Sequence, residues 1–364
     1  MIWFNMNKKL TVCYFGIYKS TYTRNRILIQ GLKENNVEVI ECNTREPSFR
    51  KYGQLIKKYW PIRKQIDIIV VGFPGHTIMP LAWILARLSG KKIVFDVFVS
   101  LYDSIILDRK SHSKFSFHAL KYWLLDWSSC GLSDLNISEV NTYTKYFVKT
   151  FGIKKSKFRT VFIGSDDTIL YPRERKFPNK EFLVHFHGTY LPIQGIPYII
   201  KAANILRDEN VRFKLIGKLG TYQEAMDLVK EFNLKNVEFI DFMPYEKLAE
   251  YMTQADICLG TFGDIPKSYR CNAFKIIEAL AMKRAVITAG FPSIKDFLTD
   301  RVNCLFCEPG NEQDLAKKIL ELKNNLELRE KIAENGYQLF KQKLTPKVLG
   351  RELKEIIREI LKKY

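Results

Sequence analysis

Residues 255–290, ADICLGTFGDIPKSYRCNAFKIIEALAMKRAVITAG, constrain the fold more than any other stretch of the chain. The pattern predicts a short apolar strand over 256–262, a polar loop over 263–271, a helix over 272–282 and a strand over 285–289. Strand, loop, helix and strand at this spacing make a unit of a parallel sheet. Asn272 stands where an N-cap is expected, because its side chain can accept from a free backbone N–H of the first turn. Lys275 and Glu278 follow three apart, on one face near the helix start, and the preceding loop carries Asp264, Lys267 and Arg270. Open α/β sheets bind ligands at the carboxyl ends of their strands, beside helix N-termini. A cation and a carboxylate at that place suit a nucleotide phosphate and its ribose. The bland alternative is an exposed i,i+3 Lys–Glu pair, worth about 0.2–0.5 kcal/mol.

The rest of the chain repeats this grammar. A buried-type strand over 9–16 leads through a loop, a helix over 24–35 and a second strand over 37–42, the opening of a doubly wound sheet. Gly16, Lys19, Tyr22, Arg24, Asn25 and Arg26 fall on the loop side of the first strand and are candidates to line a cleft. Strands over 66–73 and 91–99 flank an apolar helix at 77–88. They bring His76, Asp96 and Asp103 to one side of the sheet, as candidates to receive an acceptor proton. Asp96 and Asp103 could equally cap helices, and His76 could equally sit in a first helical turn. A helix over 115–130, a strand over 132–138, a helix over 141–151 and a strand over 157–163 complete the first half. His112 and His118 suggest nothing specific. Residues 172–180, PRERKFPNK, are polar and aperiodic and read as a linker.

The second half opens with a strand over 181–186. A glycine loop holding Gly188, Gln194 and Gly195 follows, then a helix from Ile196. That is a phosphate-cradle geometry without the Gly-Lys-Ser/Thr of a Walker loop. A strand ending at Gly217, with Lys218 beyond it, and a strand over 237–242 come next; Phe242 and Met243 read as core. After residue 290 the pattern gives a strand over 303–307 and helices over 312–324 and 327–341. An amphipathic helix over 344–364 ends the chain.

NAFKIIEALAMKRAVITAG resembles the nucleotide-binding signature of retaining glycosyltransferases of family four, which have the GT-B fold. The resemblance extends over nearly the whole chain through Gly164-Ser165-Asp166, the Gly188 loop and FCEPGNEQDLAKKIL. It implies two Rossmann-like doubly wound α/β lobes facing a central cleft. The acceptor lobe would be 1–171, with 345–364 crossing back onto it, and the sugar-nucleotide lobe 181–344. It also implies that Glu278 takes both ribose hydroxyls, that Lys275 and Arg270 hold the diphosphate, and that Gly188, Gln194, Gly217, Lys218 and Asn272 shape the donor site. On the acceptor side stand Gly16, Lys19 and Arg24 with His76, Asp96 and Asp103. The implied co-substrate is a nucleoside-diphosphate sugar and the acceptor a glycan or a lipid-linked saccharide. Three positions depart from the family. Arg270 replaces a Glu eight residues before Glu278, and Thr189 and Gln194 replace the Arg and Lys of the diphosphate loop. No Asp-x-Asp occurs in the chain, which suits a site without metal or other cofactor.

At 364 residues with 46% hydrophobic content, the chain can build two full cores. Lys and Arg number 58 against 39 Asp and Glu, a net charge of +19. That favours anionic partners: nucleotide diphosphates, anionic lipid or nucleic acid. Residues 45–64 interleave seven Lys and Arg with Phe49, Tyr52, Tyr59 and Trp60, a composition for a membrane surface or for a solvated face over core aromatics. No nucleic-acid module accompanies the charge, so nucleic acid is not expected as a partner. Seven scattered Cys, including Cys304 and Cys307, fit reduced core thiols of a cytoplasmic protein, peripheral on the membrane where residues 45–64 make contact. No apolar run reaches the roughly 18 residues of a spanning helix, and no signal peptide is evident. Beside transfer, the same residues leave open a sugar-nucleotide epimerase of the same fold, a non-catalytic sugar-nucleotide or glycan binder, and a basic membrane adaptor.

Overall fold

The structure, a computed structural model, describes residues 9–175 and 179–362. The chain divides into two compact α/β units: one ends at Gly164 and takes the chain up again from Thr345, and the other is Ser165–Leu344. The division falls earlier than the expected linker over 172–180. Lys176, Phe177 and Pro178 of that stretch lie outside the described residues. Its flanks are tied to the second unit, where Arg175 pairs with Asp256 at 2.8 Å and Asn179 donates to the Gln254 carbonyl at 2.7 Å.

In the first unit six parallel strands are ordered β2-β1-β3-β4-β5-β6. They are β1 (Thr11–Gly16), β2 (Glu38–Asn43), β3 (Ile68–Val71), β4 (Lys92–Phe98), β5 (Leu135–Ser138) and β6 (Phe158–Thr160). Central β3 reads IIVV and is buried at every position, whereas edge strand β2 reads EVIECN and keeps exposed positions, as a sheet covered on both faces requires. The helices α1 (Thr23–Glu34), α2 (Arg50–Ile62), α3 (Met79–Ser89), α4 (Phe117–Leu132) and α5 (Asn141–Phe151) are the crossovers. Ser116 caps α4 by accepting from the Ala119 N–H at 3.2 Å. A short π-helical turn, Tyr102–Asp108, follows β4 where the sequence reading assigned no element.

Helices α2 to α5 put their apolar sides into one cluster against one sheet face, through Leu55, Tyr59, Met79, Leu85, Cys130 and Phe147. The opposite face is covered by α1 and the last helix of the chain, Pro346–Lys362, through Ile27, Leu28, Leu32, Leu349, Leu353 and Ile357. The amphipathic C-terminal segment therefore packs as part of the first unit. These two helices cross at Gly31 and Gly350. A Cβ on Gly31 would lie 2.0 Å from the Pro346 carbonyl oxygen, and one on Gly350 would lie 2.0 Å from the Gly31 carbonyl carbon.

In the second unit six parallel strands are ordered β12-β11-β10-β7-β8-β9. They are β7 (Phe182–His187), β8 (Val211–Ile216), β9 (Val237–Ile240), β10 (Ile257–Leu259), β11 (Ala285–Ala289) and β12 (Leu305–Cys307). Connecting helices are α6 (Ile196–Ile205), α7 (Tyr222–Glu231), α8 (Tyr245–Gln254) and α9 (Phe274–Ala281), and α10 (Glu312–Asn324) and α11 (Leu326–Lys343) follow the last strand. The strand order reverses between β7 and β10, which pair Val184 with Ile257 and His185 with Cys258. That is the topological switch point, where open α/β sheets leave a crevice for a ligand. All seven Cys are free and buried. Burial pushes the Cys304 and Cys307 thiols up, the opposite of what a redox or metal-binding pair needs.

The Gly31–Gly350 contact leaves no room for a methyl group. Gly31→Ala or Gly350→Ala is expected to destabilise the first unit by about 1–3 kcal/mol, read as a lower thermal unfolding midpoint. An exposed control, Gly53→Ala, which meets no neighbouring atom, should leave the midpoint unchanged or raised.

Candidate active site in the second lobe

The site is built where β7 and β10 end. The loop after β7 runs from Gly188 to Gly195 and closes in a 3-10 turn, Pro192–Gln194, before α6. The loop after β10 lies against it: the Phe262 N–H donates to the Gln194 carbonyl at 3.3 Å and the Gly263 N–H to that of Ile193 at 3.1 Å. These contacts force glycine at several points. A Cβ on Gly263 would meet the Pro192 carbonyl oxygen at 2.0 Å, and Gly195 has φ of +67°. A Cβ on Gly188 would lie 2.6 Å from Gln194 Oε1 and 2.9 Å from Lys275 Nζ. Gly217, φ +125°, closes the far side of this loop, since a Cβ there would overlap the Gly188 carbonyl. Gln194 accepts from the Tyr190 N–H at 2.9 Å. Its amide nitrogen lies beside Gly188.

Helix α9 carries the charges. All its residues from Lys275 to Ala281 are buried, with Lys275 5% and Glu278 2% exposed. The exposed-pair alternative therefore fails. On a helix enclosed on every side, a lysine and a glutamate are costly unless each has something to bind. Glu278 is clamped from two elements. His187 Nε2 lies 2.6 Å from its Oε2, and the Tyr245 hydroxyl at the start of α8 donates to its Oε1. His185 Nε2 lies 3.0 Å from His187 Nδ1. Burial and the neighbouring Lys275 push His187 down to about 3, so its ring is neutral and bears one proton. A carboxylate oxygen only accepts, so that proton sits on Nε2 and Nδ1 accepts from His185. The result is a directional chain, His185 to His187 to Glu278.

Lys275 differs. Its ammonium sits 4.5 Å over the Phe186 ring and makes no hydrogen bond among the described residues. Burial pulls its pKa down to about 7. A buried cation without a hydrogen-bonded partner, beside a glycine loop and at the first turn of a helix, is a receptor for an anion.

The other expected donor residues are less central. Asn272 is not the N-cap of α9: the helix starts at Phe274, with Ala273 in the cap position and no side-chain cap bond. Asn272 and half-buried Arg270 belong to the loop before it, which Ser293 anchors by donating to the carbonyls of Ser268 and Cys271. Lys218 is 53% exposed and faces Asp241 at 3.8 Å. Phe242 is 54% exposed just beyond β9, so it is not the core residue its sequence context suggested.

In the first lobe the expected acceptor-side groups are engaged in the lobe's own structure. Arg24, 1% exposed, holds Asp96 with Nε at 3.0 Å and donates to the carbonyls of Val161 and Phe162 at 2.9 and 2.7 Å. Both partners are fully enclosed, and removing either would strand a buried charge. His76 Nε2 lies 3.2 Å from Asp126, whose carboxylate also accepts from the Leu101 and Tyr102 N–H groups. Asp103 accepts from the Tyr143 hydroxyl at 3.2 Å. Gly16 is fixed by packing, since a Cβ there would lie 2.5 Å from the Tyr18 ring, and Lys19 is exposed.

His185, His187 and Tyr245 were not singled out in the sequence. The one available signal was the spacing of His185 and His187, two apart in a strand and so on one face, immediately before the glycine loop. Tyr245 had none, because its contact to Glu278 spans 33 residues.

The sequence profile of the family described as glycosyl transferases group 1 matches residues 167–339. An uncharacterized glycosyltransferase of Methanocaldococcus jannaschii is 28% identical over 172 residues, 45% of this chain and 47% of that protein. The capsular polysaccharide biosynthesis glycosyltransferase CapM of Staphylococcus aureus is 23% identical over 235 residues, 62% of this chain and 58% of that protein. The chain thus spans about half the length of the curated relatives it matches. The crystal structure of HepE from Anabaena in complex with UDP superposes with a TM-score of 0.72 at 15% identity, over 97% of this chain and 100% of that one. The likeness carries the fold, a two-lobe α/β architecture of the GT-B kind. Residues 167–339 of the second lobe thus match a glycosyl transferases group 1 domain.

Proposed function

We propose that the chain is a retaining, metal-independent glycosyltransferase that moves a sugar from a nucleoside-diphosphate sugar to a hydroxyl of a glycan or lipid-linked acceptor. The observation that carries this reading is the pairing on α9 of a clamped carboxylate, Glu278, with a buried ammonium lacking any hydrogen bond, Lys275, at the switch point of the sheet. Glu278 accepts both ribose hydroxyls through the lone pairs that His187 and Tyr245 leave. Lys275, the Gln194 amide and the N–H groups at the start of α6 hold the diphosphate, with Arg270 and Lys218 as further cations. Phe242 offers an exposed ring to the base. The crystal structure of HepE with UDP and the capsular polysaccharide assignment of CapM support a uridine nucleotide and a saccharide acceptor.

In the reaction the bond from the anomeric carbon to the phosphate oxygen breaks and a bond to the acceptor oxygen forms on the same face. The departing phosphate oxygen takes the acceptor proton. This division of labour suits a first lobe in which Asp96, Asp103 and His76 each have a protein partner. Charge developing on the diphosphate is met by Lys275 and by helix dipoles already in place.

Two measurements test this. Incubation with a panel of UDP-, GDP- and ADP-sugars and simple glycoside acceptors should yield a glycoside with the donor's anomeric configuration. Glu278→Ala should raise the donor KM by about tenfold to a hundredfold, the loss of hydrogen bonds to a charged group. Folded protein with neither transfer nor donor hydrolysis across the panel contradicts the proposal, and turnover of donor without acceptor points to the epimerase.

The second measurement is pH dependence. Unliganded Lys275 loses its charge above about 7. A bound diphosphate favours the charged form, so binding takes up a proton above that pH. Diphosphate affinity should fall by up to about tenfold per pH unit as pH rises above 7, and Lys275→Met should flatten the profile. The same group acts on unliganded stability with the opposite sign. The unfolded lysine holds its proton to about 10.5 while the folded one releases it near 7, so its contribution to stability grows as pH rises through that window.

A further inference from the structure

Helices α2, α3 and α4 lie side by side on one face of the first lobe's sheet and turn their outer faces to the same side. Their inner faces share a core cluster. The helices also touch side by side: the Tyr59 hydroxyl of α2 lies 2.5 Å from Ser89 Oγ of α3, and Ser129 of α4 donates to the His76 carbonyl in the turn before α3. A solvated outer layer should be polar. This one presents Trp60 from α2, then Trp83, Ile84 and Leu88 from α3, all exposed. From α4 it presents Phe117, 77% exposed, with exposed Leu120 and Leu124, and the approach to α4 carries Phe115, 99% exposed. An outer layer this rich in exposed apolar side chains on an otherwise ordinary lobe marks a contact surface.

The charge around it selects the partner. Residues 50–133 hold thirteen Lys and Arg against five Asp and no Glu. Asp96, Asp103, Asp108 and Asp126 are buried, and Asp67 accepts from the Thr11 N–H at 2.8 Å. Asp134, just beyond α4, is taken up by Arg87 at 3.4 Å and Lys92 at 3.6 Å. The outward charge of this layer is therefore positive, with exposed Lys57, Lys64 and Lys121 set among the aromatic and aliphatic groups. A two-fold contact between copies would press this basic face onto itself. An anionic bilayer instead offers phosphate to the cations and an interfacial zone to the tryptophans.

We infer that the α2–α3–α4 face of the first lobe docks on an anionic lipid surface. The basic stretch 45–64 is only its edge: α2 turns Leu55 and Tyr59 inward, and most of the exposed apolar groups lie on α3 and α4 and the approach to α4. No helix among the described residues is long and apolar enough to cross a membrane, so the contact is a surface one. It shares no residue with the proposed donor site, and vesicle binding is measured without donor. Failure of docking and failure of transfer are thus separate results.

The experiment is flotation of the full chain with vesicles of phosphatidylcholine alone and of phosphatidylcholine mixed with phosphatidylglycerol. Binding is expected only with phosphatidylglycerol present, and it should weaken as salt is raised. The variants Leu88→Ser with Leu120→Ser, Phe115→Ser with Phe117→Ser, and Lys57→Glu with Lys121→Glu should each reduce partitioning by about tenfold or more. Circular dichroism and the thermal midpoint of each variant report whether it folds. The pair Phe115 and Phe117, which flank the N-cap of α4 and are 99% and 77% exposed, keeps the test valid where a substitution within a helix prevents folding. Equal binding to both vesicle types, no binding to either, or folded variants that bind like the parent would overturn the inference. So would a salt-resistant dimer that the apolar substitutions dissociate, which would assign the face to a second copy of the chain.

Discussion

Glu278 is a carboxylate on a helix with almost no exposed surface, and the second lobe is arranged so that it can be there. Two groups fix its oxygens, His187 from the end of β7 and Tyr245 from the start of α8. Burial keeps His187 neutral and His185 sets its tautomer, so Glu278 keeps acceptor capacity for a ligand and gives up orientation to the protein. The glycines serve the same end. Gly188, Gly195, Gly217 and Gly263 let two loops and two strand ends approach within backbone contact, which closes the crevice around Lys275 and Glu278. An interior that isolates a charge usually has to neutralise it. Here one charge is hydrogen-bonded from two sides and the other awaits an anion, which is how a binding site differs from a structural ion pair.

The first lobe makes the contrasting case. Arg24 and Asp96 are as deeply buried as anything in the second lobe, yet they are bound to each other, and Arg24 also donates to two backbone carbonyls. The pair joins β4 to the first turn of α1 and to the chain just after β6. It asks for no ligand. The same chemistry, a buried cation and a buried carboxylate, thus reads as architecture in one lobe and as recognition in the other. The difference lies in whether the donors and acceptors are already satisfied.

Much of this was legible in the chain. The alternation of apolar strands with amphipathic helices predicted both parallel sheets, and α5 and α10 begin and end where the periodicity puts them. NAFKIIEAL placed Lys275 and Glu278 at a strand end because local pattern suffices for a βαβ unit. What escaped were contacts across long sequence separations. Asp96 looked like an acceptor-side base because Arg24 is 72 residues away. His187 was passed over because Glu278 is 91 residues away. Asn272 has the chemistry of a cap but sits one residue before the cap position, Ala273, and a helix start is set by the loop that leads into it. The apolar outer face of the α2–α3–α4 layer was hidden for a related reason. Each helix alone reads as an ordinary crossover, and only their order in one layer shows that the exposed residues share one side of the lobe.

The account turns on Glu278 binding a ribose, and the direct test is calorimetric titration of the protein and of Glu278→Ala with UDP and with 2′-deoxy-UDP. The account predicts that the parent loses about tenfold or more in affinity when the 2′-hydroxyl is removed, and that Glu278→Ala binds both nucleotides weakly and alike. Equal affinities of the parent for the two nucleotides, or the same loss in parent and variant, would contradict it.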